Sequence, residues 1–278
     1  MSVFKIVAML KNGASVVAKP EMFVFPGGES QVRVPAELLS CAEQARLVRL
    51  EAHLMSADAV MQLLLLTDAL RRGLPMVPLH LVMPYVPYAR QDRVCAPGEA
   101  LSAKVFCSLI NAQGYASVLI ADPHSDVVPA LLERVSVIDA SAYLAEVLAA
   151  PAFAGGVTLV APDAGARKRT LALAKRFGVS DVAFADKVRD PLTGAISGVS
   201  FPQVPAGQPV LVVDDICDGG RTFLELAIAA RRSSDVPLYL YVTHGIFSKG
   251  LAALAEHYTH IFTAHSWIGD AQNLTTLA

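Results

Sequence analysis

The sequence has little charge and no excess of either sign. Of its 278 residues 17% are charged, and Lys plus Arg (23) nearly balance Asp plus Glu (25), a formal net charge of -2. Without a basic block there is no footprint for a nucleic-acid polymer, so any phosphate bound here must be gripped locally. Cysteine is scarce as well. Cys41, Cys95, Cys107 and Cys217 form no CxxC pair and no zinc-ligand spacing, so reduced structural thiols without chemistry are expected. No long uninterrupted apolar run is present either. The most apolar stretch, 74–89, holds Pro75, Pro78, Pro84, Pro87 and His80 and falls short of the roughly 18 residues a membrane-spanning helix needs. The opening Met1-Ser-Val-Phe-Lys5-Ile lacks a charged leader followed by an apolar run and a cleavage site, so a cytoplasmic protein with no membrane partner is expected. Apolar residues, by contrast, make up 54% of the chain, enough to bury a substantial core and to exclude a disordered chain.

Short apolar, β-branched runs alternate with longer helical patterns, the rhythm of an α/β fold with mainly parallel sheets. The expected strands are Phe4–Leu10, Arg46–Ala52, Met76–Pro84, Ser117–Ala121, Thr158–Ala161, Asp181–Ala185, Pro209–Val213, Leu238–Val242 and His260–Thr263. The clearest helix is Ser56–Arg72, with Ser56 as N-cap and Gly73 just past its end. Gly98–Ala112, Gly165–Phe177 and Phe223–Arg232 also read as helices. The length suits two modest domains. A Pro, Gly and Ala stretch at 149–156 sets their expected boundary, giving 1–148 and 149–278. Val118-Leu-Ile-Ala-Asp122-Pro-His-Ser-Asp126 and Val210-Leu-Val-Val-Asp214-Asp-Ile-Cys-Asp218 are faint echoes of one another, consistent with a duplicated α/β unit.

The second of these windows carries the most chemistry. An apolar strand delivers Asp214 and Asp215 at its C-terminal end, and Asp218-Gly219-Gly220-Arg221-Thr222 turns into a helix. Ligands bind at that edge of open α/β sheets. Backbone N–H groups of the turn and helix start suit a phosphate, with a hydroxyl from Thr222, while Asp214 and Asp215 can accept from sugar hydroxyls. Phosphate at one end and a diol at the other describe a ribose 5-phosphate. A tight strand-to-helix turn with no ligand is the bland alternative. The segment resembles the phosphoribosyl pyrophosphate loop of type I phosphoribosyltransferases and of ribose-phosphate pyrophosphokinases.

Pro84-Tyr-Val-Pro-Tyr88-Ala89-Arg90-Gln91-Asp92-Arg93, followed by Ala96-Pro97-Gly98-Glu99-Ala100 and Lys104, separates the two families. It resembles the Tyr-Ala-Arg-Gln-Asp-Arg stretch and flexible loop of ribose-phosphate pyrophosphokinases, which simple phosphoribosyltransferases lack. Arg90 and Arg93 can bind ATP phosphates through forked hydrogen bonds beneath a closing loop. Other matches follow in the family's order: Phe25-Pro-Gly27-Gly28-Glu29, Asp122-Pro-His124, Pro162-Asp163-Ala-Gly165, and Lys187 with Arg189.

The resemblance implies two similar phosphoribosyltransferase type I-like domains, each a mainly parallel sheet flanked by helices. It further implies Mg2+-dependent transfer of the β,γ-pyrophosphoryl group of ATP to the anomeric hydroxyl of ribose 5-phosphate, with release of AMP. Phe25, Glu29, Arg90, Gln91, Asp92, Arg93 and His124 would hold ATP, with Phe25 serving a neighbouring subunit's adenine in a homo-oligomer, a dimer or a hexamer. His124 and Asp163 are assigned to the metal. Lys187, Arg189 and His124 are the catalytic set, and Asp214, Asp215, Asp218, Gly219, Gly220, Arg221 and Thr222 would seat the sugar phosphate.

Three departures bear on the substrate. The family loop usually reads Asp-Thr-Gly-Gly-Thr, so this chain exchanges a hydroxyl donor for the guanidinium of Arg221. An extra cation suits an acceptor with a second phosphate, such as ADP-ribose in NAD salvage; alternatively Arg221 points outward and ribose 5-phosphate binds normally. Gly27 replaces an Asp, and His265-Ser-Trp267 stands near the family's Thr-Ile-Pro-like stretch. A non-catalytic regulatory homologue is the remaining alternative, although His124, Asp163, Lys187 and Arg189 are all retained.

Overall fold

A computed structural model describes residues 3–189, 196–269 and 271–277; the side chains of 187–189 and 196–198 lie outside that description. The chain divides into two compact units, Met1–Ile138 and Asp139–Ala278, and is an α/β protein of two domains. The division falls before the Pro, Gly and Ala stretch at 149–156, because Ala140, Leu144 and Val147, which precede that stretch, pack into the second unit's core with Leu159, Leu211 and Val213.

The first unit runs β1 (Phe4–Leu10), β2 (Ser15–Ala18), β3 (Glu21–Val24), β4 (Ser30–Arg33), α1 (Ala36–Ser40), β5 (Ala45–Ala52), α2 (Ala57–Gly73), β6 (Leu79–Val82), α3 (Ser102–Ala112), β7 (Ser117–Ala121), α4 (Val127–Leu131) and β8 (Val135–Ile138). Its main sheet has the order β2-β1-β5-β6-β7-β8. β5 to β8 are parallel, whereas β1 runs antiparallel to β2 and β5. β3 and β4 form a separate antiparallel ribbon.

Helix α2 shows how local chemistry sets these elements. The Ser56 hydroxyl accepts from the Ala59 N–H at 3.1 Å, satisfying one of the orphan donors of the first turn, and Ala59, Val60, Leu63, Leu66, Thr67 and Leu70 bury one stripe at helical spacing. Ser56→Ala should cost about 1 kcal/mol, readable as a lowered urea midpoint with an unchanged slope. Gly73 is the last helical residue rather than a residue beyond the end. A Cβ there would overlap Cδ2 of Leu39, whose exposed side chain would have to shift to admit it.

The second unit runs α5 (Ala140–Leu148), a 3-10 turn at Pro151–Phe153, β9 (Thr158–Ala161), α6 (Arg167–Phe177), β10 (Val182–Phe184), β11 (Asp186–Arg189), β12 (Ile196–Ser200), β13 (Val210–Cys217), α7 (Arg221–Ser233), β14 (Leu238–Gly245), α8 (Ala252–Ala255), β15 (His260–Ser266) and β16 (Leu274–Thr276). The sheet order is β10-β9-β13-β14-β15-β16, with every pair parallel. Strand β13 is buried on both faces, the usual state of a central parallel strand. Val210 and Val212 join the cluster containing Phe223, Leu226, Ala227 and Ala230 of α7, while Leu211 and Val213 join the cluster containing Leu144 of α5 and Leu173 of α6.

Numbered by their chain order within each sheet, both sheets read 2-1-3-4-5-6, and each unit places an antiparallel ribbon, β3–β4 or β11–β12, between its second and third sheet strands. The echoing windows at 118–126 and 210–218 lie on the fifth strand of one sheet and the third of the other, so this common order does not superimpose them. The four cysteines are unbridged. No helix among the described residues is long and apolar enough to cross a membrane.

Candidate active site

In the second unit the chain leaves β9 through α6 toward β10 on one side, and leaves β13 through α7 toward β14 on the other. The C-terminal ends of β9 and β13 therefore flank a point where the strand order reverses, the place where open α/β sheets bind ligands. Pairing between the two strands stops at Val212↔Val160, while β13 stays paired with β14 as far as Cys217↔Gly245. Asp214 and Asp215 thus remain on a fixed strand after their β9 neighbour has ended, at the position where such sheets form their ligand crevice.

Asp163 follows β9 into this crevice. Its Oδ1 accepts from the N–H groups of Gly165 (2.8 Å) and Ala166 (3.2 Å), closing a turn just before α6. Across the switch point the Asp215 N–H donates to Asp214 Oδ1 at 2.9 Å, and Arg169 of α6 lies 4.0 Å from Asp215 Oδ2. Burial first, then the Asp215 carboxylate and a hydrogen bond with it, and finally Asp163, push the Asp214 carboxyl well above its usual range. The fold thus brings Asp163, Asp214 and Asp215 together. Arg169 joins them unforeseen, because its position within an ordinary basic helix carries no signal until the strand order is known.

A raised carboxyl makes stability depend on pH in a defined sense. Folded protein holds the Asp214 proton more tightly than unfolded chain, so the stability it contributes is fully present below the unfolded carboxylate range and is lost as pH rises through the folded value. Asp214→Asn should therefore raise Tm at neutral pH, with the gain shrinking as pH falls toward 4; thermal unfolding across that range reads it.

Beyond Cys217 the chain turns through Asp218 and Gly219 to Gly220, whose φ of 74° lies in the left-handed region. A Cβ on Gly220 would also stand 3.2 Å from Leu254 Cδ1 and 3.7 Å from Cys217 Sγ. Helix α7 starts at Arg221, two residues earlier than the sequence pattern suggests, which puts Thr222 in its first turn among N–H groups that have no helical acceptor. Arg221 turns away along the helix: its Nε donates to Glu225 Oε1 at 2.6 Å and its side chain is 88% exposed. Burial, with Asp214 and Asp218 nearby, pushes the Cys217 thiol up to about 12, in keeping with a thiol that has no chemistry.

The first unit carries the other candidates. Arg90, Gln91, Asp92 and Arg93 follow β6, and His124 follows β7, its parallel neighbour, so both groups leave the same edge of the sheet. Arg90, Gln91, Arg93 and His124 are exposed and Asp92 is half-buried, 4.0 Å from Arg93. The Tyr88 backbone, at φ 63°, shapes the entry to this segment, and the Gln91 N–H donates to Tyr88 O. The Glu99 carboxylate, which sequence reasoning left without a role, accepts from the N–H groups of Cys95 (2.8 Å) and Ala96 (3.0 Å), stapling the loop across Pro97-Gly98. Phe25 and Glu29 close the tip of the β3–β4 ribbon, where the Phe25 N–H donates to Glu29 O, and Phe25 is 53% exposed.

Lys187 and Arg189 lie on β11, opposite Val199 and Ile196 of β12, with a register shift between Val188 and Arg189. Their side chains lie outside the described part of the structure. Trp267 follows β15, half-buried, its N–H donating to Gly245 O.

Residues 9–114 match the family described as the N-terminal domain of ribose phosphate pyrophosphokinase. A ribose-phosphate pyrophosphokinase of Xylella fastidiosa is 30% identical over 241 residues, 86% of this chain and 72% of that protein. The chain belongs to the ribose-phosphate pyrophosphokinase family. Its relative in Thermococcus kodakarensis is 30% identical over 249 residues, 87% of this chain and 82% of that one. The ribose-phosphate pyrophosphokinase of Granulibacter bethesdensis is 33% identical over 197 residues, and there the match spans 63% of the relative's length. Phosphoribosylpyrophosphate synthetase from Mycobacterium smegmatis has the same fold, with a TM-score of 0.74 at 23% identity over 94% of this chain and 86% of that one.

Proposed function

We propose that this member of the family transfers pyrophosphate from ATP to the anomeric hydroxyl of ribose 5-phosphate. The hydroxyl oxygen would bond to the β-phosphorus, the bond from that phosphorus to the α,β-bridging oxygen would break, and AMP would leave with that oxygen while the hydroxyl proton passes to solvent. The observation that carries this reading is the switch-point crevice, where Asp214 and Asp215 can accept from the ribose hydroxyls and the turn through Gly220 aims the start of α7 at a phosphate. Arg90, Gln91, Asp92, Arg93 and His124 hold ATP, and Phe25 and Glu29 contact a neighbour's nucleotide. Lys187 and Arg189 stabilise charge developing on the transferred group, where positioning and electrostatics account for most of the catalysis.

Mg2+ fits this set. Among the described residues no group of three or more His, Cys, Asp or Glu side chains forms a metal cage. Mg2+ bound with nucleotide needs only one or two carboxylates, because substrate phosphates and water complete its shell. Asp163 and His124 are the residues that the family resemblance assigns to the metal, and the ion would neutralise phosphate charge.

Arg221 points outward to pair with Glu225, the arrangement anticipated for an enzyme that binds ribose 5-phosphate in the ordinary way. The test offers each acceptor separately with ATP and Mg2+ and follows AMP together with the mass of the acceptor. Preference for ribose 5-phosphate supports the proposal, preference for ADP-ribose moves the enzyme into NAD salvage, and no AMP with either leaves a regulatory homologue. The exposed apolar ribbon of Phe23, Val24 and Phe25 supports a shared site. Light scattering should accordingly find an oligomer, and a fully active monomer refutes the sharing.

A further inference from the structure

The 5-phosphate subsite, as the proposed function has it, has few cations of its own. Asp218 opens the turn, Arg169 lies against Asp215, and Arg221, the one cation of α7's first turn, pairs with Glu225 on the exposed face of the helix. Backbone N–H groups and the Thr222 hydroxyl are the donors that remain on the loop itself. A dianionic phosphate in such surroundings calls for a cation from another segment.

The segment after β14 is built against this loop. Ile246 and Phe247 donate their N–H groups to Cys217 O at 2.9 and 3.0 Å, Ser248 donates its N–H to Asp218 O at 3.1 Å, and the Ser248 hydroxyl donates to Asp218 Oδ1 at 2.7 Å. Phe247 adopts a φ of 49° with its ring buried, and Gly250 follows at φ 75°. The two left-handed residues and the four hydrogen bonds fix the course of the chain on both sides of Lys249. The Lys249 stem lies on the phosphate turn: a Cβ on Gly219 would stand 3.8 Å from Lys249 Cγ. Among the described residues its ammonium has no ion-pair partner, and the flexible four-carbon stem leaves that charge able to reach a ligand.

We propose that Lys249 is the cation of the sugar-phosphate subsite, meeting the 5-phosphate from the loop after β14 while the first turn of α7 meets it from the loop after β13. The proposal rests on the reading of 218–222 as a sugar-phosphate loop. It gives Lys249 the electrostatic part that the sequence assigned to Arg221.

Lys249→Met and Lys249→Arg test it through AMP-release kinetics and calorimetric titration with ribose 5-phosphate. The methionine variant should raise both KM and Kd for ribose 5-phosphate about tenfold, as loss of one charge-assisted contact implies, with KM for ATP and kcat within about twofold of wild type. The arginine variant should recover most of the affinity. An unchanged Kd, or a rise in KM shared equally with ATP, overturns the assignment. If wild-type protein releases no AMP yet binds ribose 5-phosphate, and the methionine variant binds it about tenfold more weakly, the catalytic reading falls and Lys249 stands. A wild type that does not bind ribose 5-phosphate at all overturns both.

Discussion

Lys187→Ala should lower the turnover number for AMP release by about a thousandfold while leaving Tm and the KM for both substrates close to wild type. The size follows from the role proposed for the residue. A donor aimed at charge that appears only in the transition state contributes roughly 10²–10³-fold in kcat, and a fully charged donor stands at the upper end. Removing it leaves ground-state contacts intact, so kcat falls and KM does not. The backbone of Lys187 belongs to a two-stranded ribbon, β11–β12, that among the described residues pairs with no other strand, so the substitution breaks no ladder of the main sheet. An unchanged turnover number removes Lys187 from the chemistry. A fall accompanied by a lowered Tm shows instead that the residue supports the fold.

Gly245→Ala should be the most damaging single methyl added near the site. Gly245 ends β14, paired with Cys217 of β13 and Ser266 of β15, and a Cβ there would overlap Cε2 of the buried Phe247 ring while standing 2.7 Å from its Cζ and 2.9 Å from Thr263 Oγ1. The ring cannot swing aside cheaply, because Phe247 is 2% exposed and its backbone is held in the left-handed region by its N–H bond to Cys217 O. Overpacking of this kind costs about 3 kcal/mol, which lowers Tm by roughly 6–12 °C in a chain of this size. Because the displaced segment is the one that braces Asp218 and carries Lys249, affinity for ribose 5-phosphate should fall along with stability. Adding Phe247→Ala to Gly245→Ala separates the two effects: relief of the overlap should recover part of the lost stability. If the double variant is no more stable than Gly245→Ala, the ring contact is not the cause.

Local pattern carried much of this protein. The run Val210–Val213 reads as a buried strand because it is apolar on both faces, and the Asp pair and glycines after it mark a strand-to-helix turn whose chemistry depends on neighbours in sequence. Ser56 is legible as a cap because its hydrogen bond reaches only three residues ahead. Short, largely exposed elements were not legible, whereas the fully buried four-residue β9 was. β2, β3, β4 and β16 have three or four residues each and mostly exposed or half-buried positions, so they carry little hydrophobic period and owe their state to the strand beside them. Gly73, apparently a helix stop, is the last residue inside the helix and lies beside Leu39, far away in the chain.

The proposed site divides in the same way. Residue types and spacing alone determined that acids, glycines and a threonine gather at the end of one strand, that two arginines and a loop follow another, and which family those segments resemble. Only the tertiary structure decided that Asp163 lies near Asp214 across a reversal of strand order, that Arg169 reaches Asp215, that Arg221 points outward to Glu225, and that Lys249 lies along the phosphate turn. The physical reason is the range of the interactions. Caps, turns and amphipathic stripes are settled within a few residues, whereas the order of strands in a sheet is settled by burial of whole faces, and that order determines which distant charges meet.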